Sequence, residues 1–207
     1  MDRKNNKEIL KTNKKIYSLI DTRVSLKPKE TVKMEIRTAK KSETDIIMQI
    51  YRSAREFMKK NGNPDQWWEG YPPRELVERD IEEGECRVVV EGGEVLAVFY
   101  TSFGTDPTYE NIYEGEWGTE EPYGVLHRVA VAEGARGRGT VSFVFSEMLK
   151  KFGRIRIDTH EKNIPMQKAL EKAGFVRRGI IYIKEPTALT SEEREFFKRV
   201  GYDCSCN

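Results

Sequence analysis

Residues 126–141 read LHRVAVAEGARGRGTV, and this stretch decides the fold. Its apolar and β-branched residues up to Val131 predict a strand, the glycines from Gly134 to Gly139 predict a tight turn, and the apolar spacing after the turn predicts a helix. Several backbone N–H groups converge at such a junction, where the helix dipole is positive, so the turn can bind a phosphate. The alternative is a tight strand-to-helix connection that binds nothing.

The residues of the turn argue against two common phosphate sites. The outer glycines have the separation of a Walker loop, but Thr140 stands where that loop needs a lysine. A dinucleotide-binding fingerprint needs a third glycine where Ser142 stands. Arg136 and Arg138 remain as charge-assisted donors for a pyrophosphate or a 3′-phosphate. We therefore expect neither ATP hydrolysis nor Rossmann-type binding at this turn.

A second motif follows the turn at a characteristic distance. Asn163 is followed eleven residues later by Gly174-Phe175, and this spacing resembles the second conserved block of the GCN5-related N-acetyltransferases, the GNAT superfamily. Arg136 and Gly139 resemble the acetyl-CoA motif of the same family, Arg/Gln-x-x-Gly-x-Gly/Ala, with Val141 in place of the last small residue. Two motifs in the correct order are more specific than either alone.

The resemblance spans residues 34–183 and implies that acetyl-CoA is the cofactor. It places the pyrophosphate on the backbone N–H groups of the turn. It also implies that the pantetheine arm pairs like an extra strand in a gap between two splayed parallel strands. The cofactor-binding residues that it implies are Val129, Ala130, Val131, Arg136, Gly137, Arg138, Gly139, Thr140 and Val141, with Asn163 on the opposite wall.

His127 is the candidate for the base that removes the amine proton. Its unperturbed pKa of about 6.5 lets it accept a proton near neutral pH, and the fragment around it is similar to that of arylalkylamine acetyltransferases. The alternative is a structural histidine on a half-buried strand. The family's usual general acid is a tyrosine seven residues after the motif asparagine, but Leu170 occupies that position. His160 and Tyr182 are the remaining acid candidates, with helix capping or core packing as the alternative for each.

The acceptor is expected to be a primary amine of a small cationic molecule, an amino acid or a peptide. Residues 105–124 contain six acidic side chains, no basic one and four aromatic rings, and an acidic aromatic surface attracts cations. The alternative is a solvated charged hairpin with packing aromatics. The substrate-binding candidates are Tyr113, Glu116 and Trp117 from this segment, and Trp67 and Trp68 from a loop expected on the same side.

Helices alternate with strands after residue 33, which predicts an α/β (α+β) fold with a single mixed β-sheet flanked by helices. We expect two parts, a basic N-terminal extension over residues 1–33 and a GNAT acetyltransferase domain over residues 34–207. The predicted strands are 34–38, 86–90, 95–103, 125–131, 155–159, 175–183 and a final edge strand at 200–204. The predicted helices begin near residues 42, 74, 140, 165 and 191.

The composition excludes several other functions. Lys and Arg total 36 against 34 Asp and Glu, a net charge of +2, so we expect no nucleic-acid partner. The extension itself holds ten basic and four acidic side chains, and its weak apolar stripe leaves open a helix that docks on the domain or on a partner. Only two histidines are present, and neither has a second His or Cys at metal-ligand spacing, so no metal site is expected.

The remaining expectations concern the compartment and the partners. Three cysteines form no even disulfide framework, and no stretch is long and apolar enough to span a membrane. We therefore expect a cytoplasmic protein with no membrane partner, and a homodimer is left open. An acetyl-CoA-dependent N-acetyltransferase is the leading hypothesis. A non-catalytic CoA-binding regulatory module is the alternative, because a leucine replaces the usual acid.

Overall fold

The structure, a computed structural model, describes residues 33–184, 187 and 189–205. The predicted N-terminal extension lies outside the described residues except for Lys33. The strands are β1 Glu35–Thr38, β2 Cys86–Glu91, β3 Glu94–Gly104, β4 Tyr123–Val131, β5 Arg154–Thr159, β6 Val176–Tyr182 and β7 Lys198–Ser205. The α-helices are α1 Thr44–Lys60, α2 Arg74–Glu82, α3 Thr140–Phe152, α4 Ile164–Lys172 and α5 Ser191–Phe197.

The seven strands form one mixed sheet, which confirms the predicted fold class. Their order is β1-β2-β3-β4-β5-β7-β6, and all neighbours are antiparallel except β4 and β5. A parallel pair needs a crossover, and α3 supplies it between these two strands. Among the described strands, β4 and β5 are therefore the one parallel pair, and the segment that connects them contains the glycine turn and α3.

The last strand is not at an edge, so the prediction of a final edge strand is wrong. β7 lies between β5 and β6 and pairs with both. Asp203 of this strand is buried and accepts hydrogen bonds from the Arg178 side chain at 2.6 Å and the Gly118 amide at 3.0 Å. These partners compensate for the burial of the carboxylate.

Helices cover both faces of the sheet, as the alternation of side chains along the strands requires. Val88 and Val90 of β2 pack in a cluster with α1 and α2 residues, whereas Val89 belongs to a cluster with α3 and Leu170 of α4. A third cluster gathers Tyr109, Trp117, Tyr123, Val125 and Ile181. Among the described residues, no helix combines the length and apolar character needed to cross a bilayer.

Candidate functional site

The parallel strands β4 and β5 separate soon after they meet. Their pairing runs only from Gly124–Ile155 to Leu126–Ile157, although β4 continues to Val131. Beyond that point β4 pairs with β3 on its other side, and β5 pairs with β7. The edge of β4 that faces β5 is thus open over residues 127–131, within the part of the chain that the structure describes. Such an edge can take up an extended ligand as an added strand.

A bulge changes the direction of β4 at the beginning of this gap. Arg128 and Val129 lie opposite Phe99 alone, and Arg128 has φ of 52°, a left-handed conformation that is uncommon for a residue other than glycine. The Arg128 guanidinium donates to Asp80 of α2 at 2.6 Å and lies 4.7 Å from the centre of the Tyr100 ring. The bulge therefore turns a charged side chain toward α2 instead of along the gap.

The glycine turn leads directly into the N-terminus of α3. Gly137 and Gly139 have φ of 76° and 82°, and a methyl group added at either would meet no atom within 4 Å. The first three amides of α3 and those of the two glycines donate to no acceptor among the described residues, whereas Arg136 and Arg138 donate to Glu133 and Ala135 at 3.3 and 3.4 Å. Unbonded donors beside open space are what an anion-binding helix N-terminus requires.

The two arginines of the turn have protein partners. The Arg136 guanidinium donates to the Ser53 hydroxyl at 2.7 Å and lies 4.6 Å from the centre of the Phe57 ring, both on α1. The Arg138 guanidinium donates to Glu91. Each guanidinium thus has a protein partner, whereas the amides of residues 137 and 139–142 have none among the described residues. Val141, which replaces a small residue of the family motif, packs against the core, so its side chain does not fill the turn.

A cavity of about 850 Å³ runs along the gap. One end is lined by the glycine turn and α3, including Arg136, Gly137, Gly139, Thr140 and Val141, but not Arg138. Its middle is lined by Val129, Ala130 and Val131 on one side and by Asn163 on the other. The far end is lined by residues of the α1–α2 loop, by His127 and by Asp158. The cavity therefore brings together nearly all of the predicted cofactor residues.

Asn163 connects the two walls of the cavity. Its side-chain oxygen accepts from the Met166 amide at 3.3 Å and so caps α4, and its side-chain nitrogen donates to Gln66 at 2.8 Å. Gln66 belongs to the α1–α2 loop, and it also accepts from Asn63 at 2.8 Å. The residue predicted to contact the cofactor thus has two structural hydrogen bonds, one that caps α4 and one that joins α4 to the α1–α2 loop.

His127 lies at the narrow end of the gap, one residue beyond the last pair of β4 and β5. Its Nε2 is 2.9 Å from Asp106 Oδ2, and its Nδ1 is 3.4 Å from Asp158 Oδ1. The Tyr109 hydroxyl donates to the same Asp158 oxygen at 2.8 Å. Thr108 fixes Asp106 by donating its amide at 2.7 Å. Two carboxylates therefore face the two nitrogens of one imidazole.

This environment stabilises the charged form of the imidazole. Burial alone would lower the pKa of His127, but the hydrogen bonds and charges of Asp106 and Asp158 raise it to about 9. Burial would likewise raise the pKa of Asp106, but the bonds from His127 and Thr108 lower it to about 2. The pKa of Asp158 is also lowered. The two carboxylates therefore favour the protonated imidazole, whereas a base needs a free lone pair on the ring; the role of His127 as the base stays a prediction.

The other two catalytic candidates do not reach the cavity. His160 is 4% exposed, and its Nδ1 accepts from the Lys162 amide at 3.1 Å, so it stabilises the turn before α4. Burial lowers the pKa of His160 to about 4, which keeps the ring neutral. Tyr182 packs edge-on against Tyr113, away from the cavity lining. Leu170 is fully buried in the core, so the family's usual acid position offers no proton here.

Two of the five residues predicted to bind the acceptor line the cavity, and three do not. Trp67 and Trp68 line the cavity, and Trp68 lies 4.4 Å from Tyr71, ring centre to ring centre. Tyr113, Glu116 and Trp117 do not line it.

The reason is that their segment packs on β6 instead. Tyr113 pairs with Ile180, and Trp117 is 8% exposed and donates its Nε1 to the Tyr109 carbonyl at 2.9 Å. Tyr113, Glu116 and Trp117 therefore lie outside the lining of this cavity.

Sequence reasoning missed the charged groups that surround the acceptor end of the cavity. Asp106 was visible only as one acid in an acidic segment, and Asp158 only as the residue before the second motif. Asp80 and Arg128 form a buried ion pair that joins α2 to β4. No local sequence pattern indicates these residues, because each one contacts a partner that is distant in the sequence. Among the described residues, no group of three or more potential ligands could hold a metal ion.

Comparison with known proteins gives a consistent result. A family model described as the acetyltransferase (GNAT) family matches residues 46–175. A GNAT-family acetyltransferase from Streptococcus agalactiae is 32% identical, with a TM-score of 0.73 over 84% of this chain and 96% of that chain. No curated protein matches the chain at a significant level.

More distant structures share the fold. A GNAT-family acetyltransferase from Listeria monocytogenes is 16% identical, with a TM-score of 0.59 over 84% of this chain and 96% of that chain. A ribosomal-protein-alanine N-acetyltransferase from Brucella melitensis is 16% identical, with a TM-score of 0.56 over 83% of this chain and 99% of that chain. At this identity the likeness extends to the fold alone.

Proposed function

Because this chain belongs to the acetyltransferase (GNAT) family, we propose that it transfers an acetyl group from acetyl-CoA to the primary amine of a small cationic molecule, an amino acid or a peptide. The observation that carries the proposal is the open edge of β4, with unbonded helix amides at one end and a charged imidazole at the other. This arrangement suits a long ligand with a diphosphate and a reactive tail.

The residues at the gap fit acetyl-CoA. The amides from Gly137 to Ser142 that lack an acceptor are suited to the diphosphate, since charge-assisted hydrogen bonds at a helix N-terminus are strong. The main chain of residues 129–131 is suited to the amides of the pantetheine arm. When bound, acetyl-CoA supplies a thioester carbonyl that an amine can attack. Holding it in place converts a bimolecular reaction into an effectively unimolecular one.

The acceptor end of the cavity supports a cationic amine. The rings of Trp67, Trp68 and Tyr71 line it, and a cation over such a ring gains about 0.5–2 kcal/mol. Asp106 and Asp158 place two carboxylates beside His127, and Arg199 of β7 adds a positive charge on the Asp158 side. The aromatic rings are therefore the feature of this end that favours a positively charged acceptor.

Relatives of the same fold guide the choice of acceptors. One is named a ribosomal-protein-alanine N-acetyltransferase and another an agmatine N-acetyltransferase, at 16% and 12% identity. We use their names only to choose a panel that contains agmatine, a polyamine, free lysine and a peptide with an N-terminal alanine. A matched alcohol of each small amine serves as a control that cannot form an amide.

The experiment measures free thiol released from acetyl-CoA with each acceptor. Release that requires an amine, together with N-acetylated product in mass spectrometry and a sharp fall in His127→Ala, supports the proposal. The alternative, a non-catalytic CoA-binding module, is favoured by one observation, the buried Leu170 at the usual acid position. Tight CoA binding in calorimetry with no turnover on any amine would support this alternative and overturn the proposed acetyltransferase activity.

We also propose that the protein acts in the cytoplasm without a nucleic-acid partner. Among the described residues, Cys86 is a buried thiol outside any disulfide, which suits a reducing compartment.

A further inference from the structure

The environment of His127 has a consequence for proton transfer. An ionised carboxylate can only accept hydrogen bonds, and oxygens of Asp106 and Asp158 face the two ring nitrogens. A neutral imidazole would leave one lone pair directed at a negative oxygen. The two carboxylates therefore favour a proton on each nitrogen, and in that form the ring has no lone pair with which to remove a proton from an amine.

The two ring protons are not held equally. Nε2 lies 2.9 Å from Asp106, an ordinary charge-assisted hydrogen bond, and Asp106 is itself fixed by the Thr108 amide. Nδ1 lies 3.4 Å from Asp158, which is long for a hydrogen bond, and the same oxygen already accepts from Tyr109. The proton on Nδ1 is thus the one that can move.

The position of the ring decides where that proton can go. His127 and Asp158 are the first residues of β4 and β5 beyond their last pair, so they stand at the narrow end of the gap. The proposed path of the pantetheine arm along residues 129–131 leads to this end. The usual acid position cannot help, because Leu170 is fully buried in the core. A proton donor is therefore absent at the usual place and present at the end of the gap.

Resting on the proposed function, we infer that His127 is the proton donor to the departing CoA sulfur and that Asp106 is its positioning residue. The reaction forms one C–N bond and breaks one C–S bond, whose electron pair goes to sulfur. The Nδ1 proton of His127 moves to that sulfur. The attacking amine is the neutral form, and the proton that its nitrogen loses on acylation returns to Nδ1, so the imidazolium is restored and no other reactant is needed.

Other charged and titratable groups around the ring are consistent with this assignment. Tyr100 of β3 stacks on the ring with centres 5.8 Å apart, and the Tyr109 ring centre is 5.5 Å away with its hydroxyl 3.5 Å from Nδ1. Burial raises the pKa of both phenols, so they stay neutral near neutral pH. Arg199 of β7 is buried on the Asp158 side and contributes to the lowered pKa of Asp158. The ring is thus flanked by two anions, whose combined charge favours the imidazolium.

The test combines rates with a direct titration of the ring in the protein without ligand. Asp106→Asn keeps a hydrogen-bond acceptor for Nε2 but removes one negative charge, so the pKa of His127 should move toward its ordinary value of about 6.5. Asp45→Asn is the matched control, because Asp45 is 82% exposed on its side chain and lies on α1 away from the cavity. Comparing variant and wild type at each pH cancels the titration of the acceptor amine.

The expected rates follow from the fraction of imidazolium. Asp106→Asn should work at nearly the wild-type rate at pH 6 and more than about tenfold more slowly at pH 8. If His127 were the base, the variant would be faster than wild type at both pH values. An equal loss at both would indicate a purely structural role for Asp106. Either of these last two results overturns the inference.

The second readout does not depend on activity. The chain has only two histidines, so a His160→Gln variant assigns both imidazole signals in a nuclear magnetic resonance titration. His127 should titrate near pH 9 in the wild type and near neutral pH in Asp106→Asn. A His127 pKa below 7 in the wild type, with turnover intact, overturns this inference and leaves the proposed function standing. Absence of turnover with every amine overturns the proposed function and the donor role together.

Discussion

The glycine turn gives a prediction whose size can be worked out from backbone geometry. Gly139 has φ of 82° and is followed at once by the first residue of α3. An L-residue in the left-handed region costs about 1–2 kcal/mol. Replacing glycine by alanine also restricts the unfolded chain, which stabilises the native state by about 0.4–1 kcal/mol. The two effects oppose each other, so the comparison needs a control variant that restricts the unfolded chain without straining the native backbone.

Gly134→Ala is that control. Gly134 belongs to the same turn, an added methyl group there meets no atom within 4 Å, and its φ is not in the left-handed region. The gain from the unfolded chain is common to both variants, so the difference between them is the backbone strain. Gly139→Ala should therefore be less stable than Gly134→Ala by about 1–2 kcal/mol. For a chain of this size, that difference lowers the melting temperature by about 2–8 °C.

Calorimetry and a binding assay check this prediction. The melting temperatures of the two variants are compared without ligand, and CoA affinity is measured by titration calorimetry. If the alanine variant relaxes out of the left-handed turn, CoA binding has to restore it, and the dissociation constant rises about tenfold for each 1.4 kcal/mol. Gly139→Asn should recover part of the loss, because asparagine tolerates this conformation best after glycine. Equal melting temperatures for the two alanine variants would refute the reasoning.

Three further predictions concern the core, the second histidine and the acceptor wall. Leu170→Ala should lower the free energy of unfolding by about 2–5 kcal/mol in urea, and a loss below about 1 kcal/mol would contradict the fully buried position. The pKa of His160 is lowered to about 4, so its contribution to the free energy of unfolding is complete above about pH 6.5 and is lost as the pH falls toward 4. His160→Gln should therefore lose less stability than the wild type between pH 6.5 and 4 in urea titrations. The same pH dependence in both proteins would contradict the lowered pKa of His160. Trp68→Ala should raise KM for a cationic acceptor about 2- to 30-fold without lowering the melting temperature, since the ring is 48% exposed, and an unchanged KM would exclude it from the acceptor wall.

Much of the fold could be predicted because its signals are local. The strand, turn and helix of residues 126–152 are encoded by adjacent residues, and so is the cap of α4 by Asn163. The position of β7 could not be predicted in this way. Its eight residues look like an edge strand, and only pairing with β5 and β6 buries Asp203. Strand order depends on partners that are remote in sequence, which periodicity does not report.

The residues predicted for the site also fall into two groups. The predicted turn and strand residues do line one cavity, with the exception of Arg138, whereas the acceptor candidates of residues 113–117 lie elsewhere. The sequence identified an acidic aromatic segment but could not say which surface it covers. The bridge between Tyr113 and Ile180 decides this, since it directs the segment to β6. His160 was a candidate acid with helix capping or core packing as the alternative, and the structure shows that it accepts a hydrogen bond from the Lys162 amide and does not line the cavity.

The sequence by itself determined the order of the elements, the glycine turn and the identity of the two motifs, because turn chemistry and helix capping act between neighbouring residues. Only the tertiary structure brought the carboxylates of Asp106 and Asp158 beside His127. Its carboxylate partner Asp106 lies 21 positions away, and the Arg128–Asp80 pair beside it joins residues 48 positions apart. A pKa depends on the burial and the charges within a few ångströms of the group, and these distances exist only after the strands have paired.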